Sequence, residues 1–138
     1  MSDIVFAPAT KAKAKARLAL AGPSGSGKTY TALVTASALG GTTAVIDTER
    51  GSASKYAGKG GFTFDTLEMH RFDPRELVRT LAVAGAAGYE TVVVDSLSHF
   101  WMGTDGMLEQ VDNAAKRSYG GNSFGGWKEA RPMERQMI

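Results

Sequence analysis

The sequence predicts an α/β fold, a three-layer α/β/α sandwich built around a parallel sheet. Strand-like and helix-like segments alternate from residue 16 to residue 95, a pattern typical of parallel strands joined by right-handed helical crossovers. A glycine-rich loop follows the first predicted strand, and two later strands end in acidic residues. Because ligands of such sheets bind at the carboxyl ends of the strands, we expect these residues to share one crevice.

Four short apolar or β-branched runs are the candidate strands. The first covers residues 18–21 and leads into the glycine-rich loop, and the second covers residues 43–46. A brief strand is expected at residues 62–64, after a long polar loop. The β-branched run at residues 91–94, which ends at Asp95, is the strongest candidate.

Helix signals fill the intervals between these strands. Residues 29–39 favour a helix that ends at the following pair of glycines. A second helix is expected after Asp73, which is followed by proline at the first helical position and by glutamate three residues after the cap. Downstream, residues 101–117 are predicted as helix, residues 118–126 as a loop and residues 132–138 as the start of a further helix.

Length and composition place the chain among globular proteins. With 138 residues, 43% of them apolar, it is long enough for one domain with a packed core. The net charge is only +2, cysteine is absent, and no apolar stretch is long enough to cross a bilayer or to form a secretion signal. The composition excludes disulfides and thiolate metal sites, and it predicts a cytoplasmic protein without a membrane partner.

The loop after the first predicted strand has the sequence G-x-x-x-x-G-K-T. Glycines let the chain curl so that successive backbone N–H groups point at an anionic phosphate, and the next helix adds the positive end of its dipole. Lys28 is expected to reach the β- and γ-phosphates of a nucleotide, and the hydroxyl of Thr29 suits Mg²⁺. The predicted nucleotide-binding residues are Gly22, Pro23, Ser24, Gly25, Ser26, Gly27, Lys28, Thr29 and Tyr30.

Two strand-end acids complete the predicted chemistry. Asp95 ends a β-branched run, where a buried acid needs a partner, and we expect it to bind Mg²⁺, partly through water. Capping of the next helix is the alternative role for Asp95. Hydrolysis also needs a carboxylate that orients or deprotonates the attacking water. Glu49 is preferred over Asp47 because its side chain reaches further, and an ion pair of Glu49 with Arg50 or with another surface cation is the alternative.

Three segments, at residues 22–29, 45–49 and 92–96, resemble the consecutive nucleotide-site motifs of RecA-like P-loop ATPases. The sequence DTERGS at residues 47–52 and the late pair Trp127-Lys128 are similar to phage-encoded ATP-binding proteins of the AAA/RecA type, which are linked to recombination and single-strand annealing. The resemblance covers about residues 16–138, which would form a P-loop NTPase domain after a basic leader at residues 1–15. Lysines alternate with alanines in the leader. A solvated leader is favoured over an arm that touches a phosphate backbone.

The resemblance implies ATP and Mg²⁺ as cofactors. By that likeness Lys28 and Thr29 contact phosphate and metal, Asp95 supports the metal, and Glu49 is the catalytic glutamate, so Lys28 and Glu49 are the expected catalytic residues. RecA-like sites often lie between subunits, which leaves a homo-oligomer open, and no arginine of this chain is assigned to such an interface. A phage-encoded protein of this kind would work in the host cytoplasm.

The sequence departs from the RecA-like pattern in its sheet. In RecA-like domains a later strand lies between the glycine-loop strand and the metal-acid strand, and no strand candidate follows Asp95 here. Buried N–H and C=O groups without partners cost about 1 to 3 kcal/mol each. The chain is therefore expected to be the N-terminal portion of a longer protein, truncated before that intervening strand.

The segment 118–127 combines aromatic residues with glycines. Tyr119 and Phe124 could stack on unpaired bases while nearby cations contact phosphates, so single-stranded DNA is a candidate partner. Anchoring of the segment on the core is the favoured alternative. His70 and His99 have no metal-ligand spacing around them and receive no role.

The function that these observations predict is Mg²⁺-dependent ATP binding, with ATP hydrolysis in the full-length protein, of the phage DNA recombination or processing type. A nucleotide or small-molecule kinase is one alternative, although nothing marks the basic lid that it would need. A non-catalytic, nucleotide-gated interaction protein is the other. A guanine-specific GTPase is disfavoured because no N-K-x-D-type motif is present.

Overall fold

A computed structural model describes residues 5–8 and 15–137 of the chain, and it confirms the α/β fold with a parallel sheet. Three strands form this sheet in the order β2-β1-β3. They are β1 (Thr43–Asp47), β2 (Asp65–Glu68) and β3 (Thr91–Asp95). Asp47 at the end of the central strand lies opposite Glu68 on one side and Asp95 on the other. The carboxyl ends of all three strands therefore meet at one edge of the sheet.

Helices cover both faces of the sheet, which gives the predicted three layers. They are α1 (Lys28–Leu39), α2 (Pro74–Ala86), α3 (Ser98–Met102), α4 (Met107–Ser118) and α5 (Ser123–Met137), with a 3₁₀ turn at Ala53–Tyr56. Because side chains alternate along a strand, Val45 packs with Leu33 of α1 on one face. Its neighbour Ile46 packs on the other face with Leu77 of α2 and Phe100 of α3. This second core is the larger one and extends into α4 and α5.

The predicted first strand at residues 18–21 is wrong. These residues have no strand pairing, and Leu18 and Leu20 are 69% and 39% exposed. Strand β1 is paired on both sides, and among the described residues the segment pairs with neither of the two outer strands, β2 and β3, so it adds no strand to the sheet. Whether the chain is truncated stays a prediction.

The predicted strand at residues 62–64 is also displaced, because the strand begins at Asp65. Phe62 is buried in the α1-side core and Phe64 packs against that core. The aromatic residues there anchor a loop through their side chains, and the backbone pairing starts only after them.

The predicted single helix at residues 101–117 is two helices, because the chain turns between α3 and α4. The N–H of Gly103 donates to the carbonyl of His99 at 2.7 Å, which ends α3. Asp105 then has a positive φ of 62°. A side chain at Gly106 would lie 2.8 Å from the carbonyl oxygen of Gly103, so only glycine fits this turn.

The predicted loop at residues 118–126 is shorter than expected, since only residues 119–122 separate α4 from α5. The side chain of Asn122 accepts a hydrogen bond from the N–H of Phe124 at 3.0 Å, which caps the new helix. A side chain at Gly126 would clash with the backbone of Val111, so glycine allows the two helices to pack closely. Pro132 lies inside α5 and does not begin a separate helix.

The predicted start of α2 is confirmed. Asp73 is the N-cap residue, its side chain accepts a hydrogen bond from the N–H of Arg75 at 2.9 Å, and Pro74 takes the first helical position. Glu76 does not close a capping box, because its carboxylate pairs with Arg79 at 2.7 Å.

Most of the predicted basic leader lies outside the described residues, including Lys11 and Lys13. Every helix in the described part of the chain is too short or too polar to cross a bilayer. The cytoplasmic location stays a prediction.

Candidate nucleotide-binding site

The glycine-rich loop that precedes α1 has a backbone that only glycine adopts easily. Gly25 and Gly27 have φ angles of 76° and 88°, in the left-handed region. A side chain at Gly22 would lie 2.7 Å from the hydroxyl oxygen of Ser26, so the loop closes tightly at that point. The conformation explains why the motif needs its glycines at these positions.

Two backbone amides of this loop are available as donors, and two neighbouring amides are bonded within the chain. The N–H of Ser26 bonds to the carbonyl of Pro23 at 3.2 Å, and the N–H of Thr31 bonds to the carbonyl of Gly27 at 2.9 Å. Within the described chain, the amides of Gly27 and Lys28 have no backbone acceptor. Free N–H groups at the start of a twelve-residue helix, with its positive dipole end, suit an anionic phosphate.

Lys28 folds back over the loop that carries it. Its ammonium group donates to the carbonyl oxygens of Gly22 and Pro23, both at 2.8 Å. These bonds are exposed to solvent, and they hold the cation at the mouth of the loop. A phosphate that entered the loop would compete with the two carbonyls for the same ammonium group.

Thr29 joins the loop side of the site to the sheet. Its hydroxyl donates to Oδ2 of Asp95 at 2.6 Å, a side-chain bond between residues that are 66 positions apart. Asp95 is only 9% exposed at the end of β3. The alternative role of Asp95 as a helix cap does not apply, because α3 has no side-chain cap.

The oxygen atoms of Thr29 and Asp95 fit a magnesium ion. Mg²⁺ prefers oxygen ligands, keeps several waters and takes few ligands from the protein, the rest coming from phosphates. No cluster of three or more histidine and acidic side chains able to bind a metal occurs among the described residues, so an all-protein metal cage is not formed there. A threonine hydroxyl beside a buried carboxylate is the smaller donor set that a nucleotide-bound Mg²⁺ needs.

The two candidate acids after β1 lie in different surroundings. Asp47 is 1% exposed, and its Oδ1 accepts a hydrogen bond from the N–H of Glu49 at 2.7 Å. Its Oδ2 is buried and has no partner in the described structure. The side chain of Glu49 is 43% exposed, and within the described chain it makes no ion pair with Arg50. Glu49 is therefore the acid that a water molecule can reach.

A group of hydrogen bonds that the sequence did not predict surrounds Thr48. The N–H of Thr48 donates to the carbonyl of Asp95 at 2.8 Å, and its hydroxyl accepts from the N–H of Ser96 at 2.7 Å. Nδ1 of His99 lies 2.7 Å from the same hydroxyl and 3.8 Å from Oε1 of Glu49. Thr48 and Ser96 follow adjacent strands directly, which was a usable signal. No local pattern marked His99, because its partners lie about fifty residues earlier.

The side chain of Tyr30 packs against aromatic residues of the neighbouring loop. Its ring lies 5.9 Å from the ring of Tyr56 and 5.7 Å from that of Phe62, and the residue is 51% exposed. Tyr30 therefore connects the start of α1 to the 3₁₀ turn.

The predicted DNA-contacting segment, residues 118–127, runs from the end of α4 into the first turns of α5. Phe124 is 81% exposed in the first turn of α5, and Tyr119 is 39% exposed after α4. Arg117, one of the nearby cations, forms an ion pair with Glu129.

Comparisons with known proteins agree with this geometry. The family model of the AAA domain matches residues 14–138, which include the glycine-rich loop and all three strand ends. Neither a curated protein nor a solved structure matches the chain. The matched region covers nearly the whole sequence, and the chain therefore belongs to the AAA domain family of nucleotide-binding P-loop proteins.

Proposed function

We propose that this chain binds ATP together with Mg²⁺ and hydrolyses it, as the ATPase module of a phage-type DNA recombination or processing protein. The observation that carries the proposal is the 2.6 Å bond from Thr29 at the start of α1 to Asp95 at the end of β3. It brings a hydroxyl and a carboxylate, the two oxygen groups that a nucleotide-bound Mg²⁺ needs, to the edge of the free loop amides.

Each part of the site has a role in this proposal. The amides of Gly27 and Lys28 and the ammonium group of Lys28 bind the β- and γ-phosphates, and the flanking residues of the loop shape its curve. Thr29 and Asp95 would bind Mg²⁺, which neutralises phosphate charge when bound. Tyr30 supports the loop from the side of the 3₁₀ turn.

Glu49 acts on the water molecule in the proposed reaction. Water attacks the γ-phosphorus, the bond from that phosphorus to the β,γ-bridging oxygen breaks, and ADP and phosphate are formed. The carboxylate of Glu49 orients this water and accepts its proton. Glu49 is suited to this role because, of the two candidate acids after β1, it is the accessible one, whereas Asp47 is buried.

Calorimetry and phosphate release test the proposal on the same samples. Wild-type chain should bind Mg²⁺-ATP and release phosphate, whereas Glu49→Gln should bind normally and release phosphate about a hundredfold more slowly or worse. Glu68→Gln is the matched control, because Glu68 ends the neighbouring strand with a similarly exposed carboxylate.

The outcomes also separate the alternatives. Tight binding without any phosphate release would favour a nucleotide-gated interaction protein. Phosphate transfer that depends on an added acceptor would favour a kinase. An equal loss of phosphate release in Glu49→Gln and Glu68→Gln would show that the role given to Glu49 is wrong.

The DNA part of the proposal rests on Phe124 and Tyr119. Single-stranded oligonucleotide should bind and should raise the rate of phosphate release, and Phe124→Ala should weaken the oligonucleotide contact by roughly 1 to 3 kcal/mol. Tyr119 packs against the backbone of Gly125, so its substitution would also disturb the turn between α4 and α5. Val83→Ala, a change of an exposed apolar residue on α2, is the control. Unchanged oligonucleotide binding in Phe124→Ala would remove the DNA contact from the proposal.

A further inference from the structure

The hydroxyl of Thr48 has three polar neighbours and only one proton. The N–H of Ser96 donates to it at 2.7 Å, the carbonyl of Ser96 lies at 3.1 Å, and Nδ1 of His99 lies at 2.7 Å. A hydroxyl donates once and accepts twice. The proton of Thr48 can therefore go either to the carbonyl of Ser96 or to Nδ1 of His99, but not to both.

One of the two possible arrangements satisfies every group. If Thr48 donates to the carbonyl of Ser96, the ring of His99 carries a proton on Nδ1 and donates it to the Thr48 oxygen. Oε1 of Glu49 lies 3.8 Å from the same Nδ1, a distance that allows electrostatic attraction and is too long for a hydrogen bond. In the reverse arrangement Thr48 donates to His99. The carbonyl of Ser96 then loses this hydrogen bond, and Nδ1 presents no proton to the carboxylate of Glu49.

The ring of His99 is held in place by packing. It stacks on the ring of Phe72 at 5.1 Å with an angle of 25° between the planes. The next residue, Phe100, is fully buried in the larger core, and the carbonyl of His99 accepts the hydrogen bond that ends α3. Glu49, by contrast, lies on a bend after β1 with a half-exposed side chain. The fixed partner of this pair is therefore the histidine.

We propose that His99 is a positioning residue: its Nδ1–H, which is donated to Thr48, attracts the carboxylate of Glu49 electrostatically and favours the orientation in which that carboxylate faces the attacking water. The inference rests on the proposed ATP hydrolysis, since it concerns how the acid of that reaction is aimed. Within the described chain, His99 is the one basic side chain that lies within 4 Å of the Glu49 carboxylate. His99 itself touches no reacting atom, so its effect reaches the reaction through Glu49.

Three substitutions of His99 distinguish the effect of Nδ1 from the effect of ring packing. His99→Phe keeps an aromatic ring against Phe72 and removes both nitrogens. His99→Asn places an amide close to the position of Nδ1, and His99→Gln places an amide close to that of Nε2. We expect His99→Phe to lower kcat by roughly tenfold to a hundredfold with KM within about twofold of wild type, as for a misdirected catalytic group. His99→Asn should recover part of that loss, and His99→Gln should not.

His70 provides the matched control for these variants. Its Nε2 lies 3.9 Å from Oε2 of Glu68, a contact of similar length beside the neighbouring strand end, and its side chain is 72% exposed. His70→Asn should leave kcat and KM unchanged. A loss in His70→Asn as large as that in His99→Asn would overturn the specific role of His99.

The protonated nitrogen can be observed without turnover. The chain has only two histidines, so ¹⁵N spectra of His70→Asn report on His99 alone. In the neutral form of the ring we expect the proton on Nδ1, and Thr48→Val should shift the population toward Nε2–H. A neutral ring that carries its proton on Nε2 in the chain with Thr48 overturns the inference.

The two proposals fail in different ways. If wild-type chain hydrolyses ATP, Glu49→Gln stops it and His99→Phe retains the full kcat, the positioning role alone is wrong. If wild-type chain binds Mg²⁺-ATP without turnover, the proposed hydrolysis is wrong and this inference falls with it.

Discussion

The two halves of the candidate site are held in different ways. At the strand ends, Thr48, Ser96 and His99 are joined by hydrogen bonds that connect β1, β3 and α3, and the neighbouring acids Asp47 and Asp95 are buried. The glycine-rich loop is exposed from residue 21 to residue 27, and Lys28 donates to carbonyls of that same loop. The acid half is fixed before a ligand arrives, whereas the loop half is held mainly by local bonds.

This difference indicates what each half contributes. A loop that exchanges its own lysine bonds for phosphate contacts uses part of the binding energy to reorganise. A hydrogen-bonded group at the strand ends can aim a carboxylate without such a cost. Changes in the loop should therefore act mainly on nucleotide affinity, and changes at the strand ends should act on turnover or on the stability of the fold.

The largest effect is expected from Lys28→Ala. Loss of the charged contacts to two phosphates should weaken Mg²⁺-ATP binding by about a hundredfold or more. The free chain should unfold at nearly the same temperature, because the two bonds of Lys28 are exposed. Calorimetry measures the first quantity and thermal unfolding the second, with Lys59→Ala as the control. A clear fall in the unfolding temperature would show that the loop is more firmly held than the comparison states.

Thr29→Val cuts the hydroxyl contact between the two halves. Loss of the bond to Asp95 and of a Mg²⁺ ligand should lower affinity for Mg²⁺-ATP by roughly tenfold to a hundredfold. Affinity for ATP in the presence of a chelator should change little. Thr29→Ser should restore the wild-type value. Thr35→Val, which removes a hydroxyl bonded, within the described residues, only to the carbonyl of Thr31 on the same helix, should have no effect. Equal loss with and without Mg²⁺ would show that the hydroxyl serves the loop structure only.

How far the sequence predicts this molecule depends on the range of the interactions involved. The α2 start was predictable because Asp73 and Pro74 act on neighbouring backbone groups, and the loop was predictable because its glycines determine local φ angles. The strand at residues 18–21 was wrong because a strand needs a partner, and apolar content does not supply one. The early start of α5 depends on close packing of Gly126 against α4, which no local pattern shows.

In the site too, residues set by local motifs were predictable, and residues set by contacts between distant elements were not. Glu49 and Asp95 belong to motifs at strand ends, so the topology of a parallel sheet brings them to one edge. Thr29 belongs to a local loop motif, and its bond to Asp95 joins that loop to the sheet. His99 enters the site only through contacts with Thr48 and Phe72, which come from other elements. A histidine without metal-ligand spacing carries no local signal for such a role.

Asp73, at the start of α2, belongs to neither half of the site, so its substitution should change the stability of the fold and leave nucleotide binding unchanged. Asp73→Ala removes the cap of α2 and should cost about 1 kcal/mol of folding stability near neutral pH, with no change in nucleotide affinity. A side-chain hydrogen bond from Arg75 lowers the pKa of Asp73 below its ordinary value, and partial burial opposes that shift. Since the folded-state pKa is the lower one, this contribution is fully present above about pH 4 and is lost as the pH falls through the folded-state value.

Thermal or chemical unfolding at several pH values measures this effect. Asp73→Asn keeps a capping oxygen and should cost less than Asp73→Ala near neutral pH. The difference in stability between wild type and Asp73→Ala should shrink on acidification. A difference that stays constant down to strongly acidic pH would contradict the role of the Arg75 bond.

The smallest effect, and the one of opposite sign, is expected from Asp47→Asn in the acid half. Oδ2 of Asp47 is buried without a partner beside Asp95, whereas Oδ1 is bonded to the N–H of Glu49. An amide retains that acceptor and removes a charge from a dry position, so the free chain should gain about 1 kcal/mol of stability or somewhat less. Asp112→Asn, an exposed change on α4, is the control in thermal unfolding. A loss of stability in Asp47→Asn would mean that the carboxylate has a partner such as water or a cation, and that the strand ends are satisfied even before nucleotide binds.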